Sequence, residues 1–352
     1  RYTGGGAGRA WADPRGAAYF ASALGRVEKA TSSGPSVVSY QPSMRDVMMT
    51  STTNAFVVGA NAFLARWDGA KWSVDAPPTG MQAVREFKGV WTGGPKNAWA
   101  VGGSNAIVRF DGSGWSAVSD VAKPIAATDS YNAVWGSGSD VWIAGENTIV
   151  HCKGPTACAS ESAPGSGVLR GIWGTSNTNV FAVGAAGRIV RYNGSSWSQM
   201  TSPATRALYR VAGSGPNDVW AIGDSTLIHF DGSQWTDAAA DGDLREMLRY
   251  EQNTGTGGPP AMVGLWVRGP KEVYMTSIFG EIGRFDGRLW QKVHGGGGGA
   301  FAHRILGLSG ASGGCGLAVT EAQSDHRAPT LLRGMGPTGC FSAPMTGPSS
   351  WP

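Results

Sequence analysis

The chain has 352 residues, of which 55 are glycine and only 15% are charged, and its formal net charge at pH 7 is +4. Soluble domains carry about 25% charged residues on average, so this surface is polar but weakly charged. That composition argues against electrostatic capture of nucleic acid. No apolar run approaches the roughly 20 residues that span a bilayer, so we expect no transmembrane segment either.

The middle of the chain repeats a short motif. Asp-Gly-x-x-Trp, or its Asn variant, occurs at Asp68/Trp72, Asp111/Trp115, Asn193/Trp197, Asp231/Trp235 and Asp286/Trp290. A period of about 40 residues indicates a repeat architecture. Asp or Asn followed by Gly favours a tight hairpin, because glycine adopts positive φ without steric cost. We expect the Trp to fill the wedge between neighbouring sheets.

Six clear units lie between residues 44 and 290. Their first apolar strand ends at Trp91, Trp135, Trp173 or Trp266, and we place Met49 and Ala212 at the same position. Within each unit, short runs rich in Val, Ile, Trp and Phe alternate with Gly, Asn, Asp and Pro, which is typical of strands and turns. Four short antiparallel strands repeated radially describe a β-propeller blade.

Both ends of the chain contain a degenerate unit. Residues 9–41 include RAWAD, AAYFASA, GRVEKA and SVVSYQ, and residues 304–345 include ILGLSG, CGLAVTEA, PTLLRGM and CFSAP. We therefore predict an all-β fold, with residues 1–352 forming a single β-propeller domain of eight four-stranded antiparallel blades. If the two ends shared one mixed blade, the count would be seven.

By these repeats the chain resembles bacterial secreted β-propeller proteins with Asp-box-like or WD-type (YVTN/BNR-like) blades, whose units read approximately VWGSGPNDVWAVG followed by a strand and DGSSW. The resemblance is close at residues 172–197 and 211–235 and covers residues 44–290. It implies a secreted or surface-anchored protein and no particular activity. The chain departs from the sialidase Asp box, since it lacks the Ser two residues before the Asp.

Four cysteines allow three pairings, and locality favours Cys152 with Cys158 and Cys315 with Cys340. The unit at residues 132–158 lacks the Asp-Gly-x-x-Trp motif, so we expect a disulfide to replace the wedge there. Disulfides imply an oxidising compartment, and the chain begins at Arg1 rather than Met. We therefore expect a secreted, periplasmic or cell-surface protein that has lost a signal peptide or carries a lipid anchor.

The long connections join the last strand of one unit to the first strand of the next. We expect them to share one face with the turns between second and third strands, which contain Asn61, Asn105, Asn147, Asp224 and Glu281. Loops on a rigid scaffold carry binding more often than the scaffold itself. The longest insertion, 236–262, is the most charged. Its candidate ligand-binding residues are Asp241, Asp243, Arg245, Arg249 and Tyr250.

A basic residue stands two positions before each turn: Arg66, Arg109, His151, Arg191, His229 and Arg284. We expect these side chains to stack on the wedge Trp by cation–π contact, although a ring of anion-binding groups is the alternative. The CxxC and clustered His spacings of metal sites are absent from the sequence, so we expect no metal and no cofactor.

The favoured function is a binding or assembly module that presents its loop-rich face to a glycan or a protein partner, as a free protein or as a subunit of a larger assembly. The alternative is a hydrolase or lyase acting on a polysaccharide at the channel mouth. Asp241 or Asp243 with Glu281 would then be the pair of carboxylates that glycoside cleavage requires. No nucleophile motif is recognisable, so the sequence favours a non-catalytic role.

Overall fold

The computed structural model describes residues 10–12, 18–21, 26–31, 34–40, 44–51, 54–68, 72–81, 84–119, 121–122, 130–146, 148–238, 262–277, 282–294, 305–309, 317–320, 331–335 and 339–345. These residues form strands and turns, with one 3₁₀ turn at Ala185–Gly187 and no α-helix. Nothing in these ranges is a helix of the length and apolarity that crossing a membrane requires.

The strands assemble into eight sheets. The first contains β1 (Ala10–Ala12), β2 (Ala18–Ala21), β3 (Arg26–Thr31) and β4 (Gly34–Tyr40), and the second β5 (Met44–Ser51), β6 (Asn54–Gly59), β7 (Leu64–Trp67) and β8 (Trp72–Asp75). The third contains β9 (Phe87–Gly94), β10 (Asn97–Gly102), β11 (Ile107–Phe110) and β12 (Trp115–Ala117). In the fourth, β14 (Tyr131–Ser137), β15 (Asp140–Gly145), β16 (Ile149–Lys153) and β17 (Cys158–Glu161) are joined by β13 (Val121–Ala122), which pairs parallel to β17.

The fifth sheet contains β18 (Leu169–Ser176), β19 (Asn179–Gly184), β20 (Ile189–Tyr192) and β21 (Trp197–Gln199), and the sixth β22 (Leu208–Gly215), β23 (Asp218–Gly223), β24 (Thr226–Phe230) and β25 (Trp235–Asp237). The seventh contains β26 (Met262–Gly269), β27 (Glu272–Ser277), β28 (Ile282–Phe285) and β29 (Trp290–His294). The eighth contains β30 (Ile305–Ser309), β31 (Leu317–Thr320), β32 (Leu331–Met335) and β33 (Gly339–Met345).

The sheets are the blades of a β-propeller. The first strands of consecutive sheets lie against one another from β5 through β30, and β1 contacts both β30 and β5, so the ring closes and its first strands line a central channel. Strands β19 and β23 are buried at every residue, because neighbouring sheets cover both of their faces. The eight-blade prediction agrees with this arrangement, since each end of the chain supplies its own four-stranded sheet.

The predicted indole wedges are confirmed where the structure describes them. The Trp115 ring lies 5.8 Å from that of Phe56 in the preceding sheet, and Trp290 lies 5.8 Å from Trp220. Trp197 and Trp235 are also buried between sheets. The Trp72 side chain falls outside the described part of the chain. Each buried indole removes up to about 150–250 Å² from water, which holds consecutive blades together.

The Asp-Gly turns are structural, as predicted. Oδ1 of the first residue accepts the backbone N–H groups two and three residues later at 2.8–3.2 Å, at Asp111, Asn193, Asp231 and Asp286. The following glycines have φ of 92–103°. A hydrogen bond from the Ser113 hydroxyl lowers the pKa of Asp111 to about 2, and one from the backbone N–H of Gln234 lowers the pKa of Asp231 to about 2.

A disulfide joins Cys152 to Cys158, as predicted. These two residues pair across β16 and β17 as Phe110 and Trp115 pair across β11 and β12. Both cysteines are buried, and they belong to a core cluster shared with the preceding sheet. The disulfide thus occupies the position that an aromatic pair fills elsewhere. The predicted Cys315–Cys340 pair lies outside the described residues.

Two details of the repeat differ from the prediction. Five of the six basic residues of the third strands, all but Arg109, do stack on aromatic rings, but the rings belong to second strands or to the next sheet's third strand rather than to the wedge Trp. Arg66 lies over Phe110 at 5.4 Å, and His151 stacks on Trp142 at 4.4 Å. Met48, not Met49, occupies the position equivalent to Trp91, because Met48 pairs with Phe56 as Trp91 pairs with Trp99.

Candidate functional site

One face of the propeller combines the two sets of loops that the sequence places together. Backbone hydrogen bonds join the turns between second and third strands to the connections that enter the same sheet: Gly103 N to Glu86 O (3.0 Å), Ala185 N to Val168 O (2.8 Å) and Asp224 N to Ala207 O (3.0 Å). Asn61 N of the second sheet bonds Arg85 O (2.7 Å), in the connection that enters the third. We call this side the loop face. The Asp-Gly turns lie at the opposite end of the strands.

Glycine at the end of the second strand permits this close contact. A Cβ at Gly184 would overlap the carbonyl oxygen of Val168, and a Cβ at Gly223 would overlap that of Ala207. The incoming connection is therefore pressed against the turn, which fixes the backbone around the channel mouth.

The structure places three of the predicted ligand residues on the loop face. Asn61 and Asn105 adopt φ of 56° and 55°, a conformation that Asn tolerates better than most residues, so their presence has a conformational reason. Asp224 accepts a side-chain hydrogen bond that is described below. Asn147, Glu281, Asp241, Asp243, Arg245, Arg249 and Tyr250 lie in segments that the structure does not describe. A ligand-binding role for all of them stays a prediction.

The inner strands contain a repeated irregularity at the loop face. In the first strand of six sheets, the residue that follows the first one is skipped in the pairing with the neighbouring strand, and the register shifts there. These strands are β5, β9, β14, β18, β22 and β26. Such a bulge takes a residue out of the ladder and redirects its side chain. The shifted residues with described side chains are Arg45, Lys88, Asn132, Arg170 and Tyr209. We call these five residues the bulge ring.

Hydrogen bonds connect the first part of the bulge ring from blade to blade. Arg45 Nε donates to Glu86 Oε2 at 2.7 Å, and Lys88 Nζ lies 3.8 Å from Glu86 Oε1. Lys88 Nζ also donates to Asn132 Oδ1 at 3.3 Å, and Asn132 Nδ2 donates to the Leu169 carbonyl oxygen at 2.9 Å. From the second to the fourth sheet, the mouth is therefore bordered by partly exposed polar groups held in place by their neighbours.

The ring continues with a stacked pair between the fifth and sixth sheets. The Arg170 guanidinium lies 5.5 Å from the centre of the Tyr209 ring, and the Tyr209 hydroxyl donates to Asp224 Oδ1 at 2.9 Å. Burial and the bond to Asp224 raise the pKa of Tyr209 above its ordinary value. Asp224 thus fixes Tyr209, and Tyr209 supports Arg170 from beneath.

Two cavities lie in this region. One of about 60 Å³ is in the channel, beneath the bulge ring, and is lined by residues from four sheets, including Asp46, Gly171 and Arg210. Buried Asp46 accepts a hydrogen bond from the Val90 backbone N–H at 3.0 Å. The other cavity, of about 210 Å³, lies on the loop face between residues 203–206 and β24, with Thr205, Arg206 and Asp237 among its walls.

A Ser, an Asp and a His meet at the opposite end of the sixth sheet, but not in a catalytic order. The Asp218 carboxylate accepts hydrogen bonds from Ser214 Oγ, from Trp220 Nε1 at 2.9 Å and from His229 Nε2 at 2.8 Å. Nucleophilic catalysis requires the His between Ser and Asp, whereas here the Asp is central. This cluster therefore fixes the strand. Among the described residues, no group of three or more His, Cys, Asp or Glu side chains could hold a metal ion.

The sequence reasoning missed the bulge ring. Its residues precede the apolar end of the first strand, as in FKGVW and LRGIW, and they vary in type from unit to unit. The available signal was a polar residue interrupting an apolar strand at a fixed position.

No family model and no curated protein matches the sequence. Among solved structures, the chain is similar to YCF48 bound to a D1 peptide, at 17% identity over 79% of this chain and 89% of that chain, with a TM-score of 0.58. It is also similar to the computationally designed Ika8 protein, at 12% identity over 88% of this chain and 91% of that chain, with a TM-score of 0.64. The C-terminal WD40 domain of Sif2 matches at 9% identity over 90% of this chain and 92% of that chain, with a TM-score of 0.62. What the chain shares with these proteins is the β-propeller fold.

Proposed function

We propose that the protein is a non-catalytic binding scaffold that holds a segment of a protein partner on its loop face. One observation carries the proposal: the repeat places a bulge at the channel mouth in six consecutive inner strands and fills five of these positions with Arg, Lys, Asn or Tyr. A bulge that redirects a side chain is a device for presenting it. That one propeller of similar fold was solved with a bound peptide supports this kind of partner.

Two described acids that border the channel mouth are already engaged, which favours binding over hydrolysis. Glu86 is engaged by Arg45, and Asp224 by Tyr209. Neither is therefore a free acid or base positioned for proton transfer, which a general acid–base mechanism requires. A glycan partner is the second candidate, because the cavity of about 210 Å³ presents the hydroxyl groups of Thr205 and Ser225 beside Arg206 and Asp237.

We further propose that the protein works in a secreted, periplasmic or cell-surface setting. The buried Cys152–Cys158 disulfide supports this, because such bonds persist in oxidising compartments. We also propose that residues 1–352 act as one domain, and the contact between β1 and β30 supports that organisation.

Site-specific photo-crosslinking tests the proposal. A photoreactive residue is introduced at exposed Thr201 or Thr205 on the loop face, and at exposed Ser139 or Asn177 on the opposite face as matched controls. In the native host we expect one shared crosslinked protein from the two loop-face positions and none from the controls. A crosslink from the opposite face alone would refute the assignment of the face.

A glycan array and an assay for new reducing ends complete the test. Glycan binding without protein crosslinks would favour the second candidate. Release of reducing ends from a polysaccharide would overturn the non-catalytic proposal and support the hydrolase or lyase.

A further inference from the structure

Arg170 has no acidic partner among the described residues, whereas some other arginines of the propeller pair with a carboxylate. Arg45 pairs with Glu86 at 2.7 Å, Arg66 with Asp75 at 3.1 Å and Arg268 with Glu272 at 2.9 Å. In the described part of the chain, Arg170 makes no ion pair, and its buried Nε atom has no hydrogen-bond partner. Its one described contact is the Tyr209 ring. The side chain is partly exposed, and Nε is its one nitrogen that is both buried and unpaired, so the terminal N–H groups of the guanidinium are open to an external acceptor.

The surroundings of Arg170 hold the guanidinium in place. Stacking on Tyr209 restricts its motion, and the Tyr209 hydroxyl is itself bonded to Asp224 at 2.9 Å. A guanidinium presents its N–H groups in the plane of the group, in a fork that matches the two oxygens of a carboxylate. An aromatic ring on one face leaves that edge available. Arg170 also directly precedes Gly171, which lines the channel cavity.

We propose that Arg170, supported by Tyr209 and Asp224, is an anchor site for a carboxylate group of a partner peptide at the channel mouth. This rests on the proposed function and adds the chemical class of the group that is bound. Tyr209 and Asp224 are positioning residues, and Arg170 makes the contact.

A peptide carboxylate suits the site better than a polyanion does. Nucleic acid binding needs several cations that follow the phosphate backbone. Here the neighbouring cations Arg45 and Lys88 share Glu86, which leaves Arg170 as the unpaired charge of the bulge ring. A single guanidinium on a rigid support recognises one carboxylate at a time.

Fluorescence anisotropy with a labelled octaglutamate peptide and the full chain tests the proposal. We expect the wild-type chain to bind the peptide and Arg170→Gln to weaken binding about tenfold, the usual effect of losing a charge-assisted hydrogen bond. Arg170→Lys should bind with intermediate affinity, because it keeps the charge but loses the fork. Tyr209→Phe should weaken binding about threefold, since stacking persists without the anchor to Asp224.

The matched control is Arg288→Gln, which removes one exposed arginine from the Asp-Gly turn of the seventh sheet, at the opposite end of the strands. Its octaglutamate affinity should equal that of the wild type. Equal weakening by Arg288→Gln and Arg170→Gln would reduce the effect to net charge and overturn the proposal. So would a wild-type chain that fails to bind octaglutamate, or one that binds an eight-residue oligothymidylate more tightly.

The two proposals fail separately. If loop-face crosslinks persist while octaglutamate binding is absent or independent of Arg170, only the carboxylate anchor is wrong. If octaglutamate binding depends on Arg170 while crosslinks form on the opposite face alone, the anchor stands and the assigned partner face is wrong.

Discussion

Removing the disulfide between Cys152 and Cys158 should destabilise the propeller in two ways that can be measured separately: the cross-link is lost, and two buried sulfur atoms are lost. The link spans a sequence separation of 6, for which the chain-entropy relation gives about 2 kcal/mol. Replacing both residues by Ala also removes two buried sulfur atoms from the boundary with the third sheet, at about 1 kcal/mol each. We therefore expect the double variant to lose about 4 kcal/mol in free energy of unfolding, and reduction of the wild type to lose about half of that.

Urea unfolding followed by Trp fluorescence, with and without reductant, measures both effects. The double variant provides the internal control, because reductant should not change its stability unless the other two cysteines also form a bridge. If the double variant were as stable as the oxidised wild type, the disulfide would not replace the aromatic wedge of its neighbours.

Three further outcomes follow from the contacts. Gly223→Ala should lower the free energy of unfolding by about 2 kcal/mol, because the added Cβ overlaps the neighbouring carbonyl. The control Gly215→Ala places its Cβ in open space and should change the free energy of unfolding by less than about 1 kcal/mol. Equal effects of the two substitutions in urea unfolding would argue against the tight loop-face contact. Glu161 accepts from His151 and from Trp197 Nε1; burial alone would raise its pKa, but these bonds outweigh burial and lower it. Glu161→Gln should therefore lower the free energy of unfolding by about 1 kcal/mol at pH 7, after allowance for solvent screening. This difference from the wild type should vanish as pH falls from about 4.3 through the lower folded-state pKa of Glu161. A difference that grows in acid would contradict this. The Asp231 carboxyl should titrate near pH 2 by NMR, and a midpoint of about 4 would mean that the turn hydrogen bonds do not persist in solution.

The elements that the sequence predicted well are those with local causes. Asp231 and its following glycine determine the turn by backbone conformation and short-range hydrogen bonds, and both are visible in five consecutive letters. The Cys152–Cys158 pair was predictable because the unit lacks the motif that its neighbours share. Wedge Trp residues such as Trp197 were predictable because a large apolar side chain at a fixed distance after a turn must be buried somewhere.

The elements that were missed depend on pairing and packing between strands. Met48 rather than Met49 takes the position of Trp91; the 20 residues between Trp91 and Asp111 also separate Met48 from Asp68, so this error was one of alignment and could have been avoided from the spacing. The bulge ring was overlooked because Arg170 looks like an ordinary strand residue until its ladder is seen. The stacking partners of Arg66 and His151 depend on which rings the neighbouring strands bring close.

Amide hydrogen exchange of the full chain, with and without its crosslink-identified partner, tests most directly whether the loop face is the binding surface. Bound partner should slow exchange in residues 84–88, 168–172 and 205–210, which border the channel mouth, and leave the Asp-Gly turns at 193–197 and 231–235 unchanged. Protection of those turns, with no change at the channel mouth, would contradict the account.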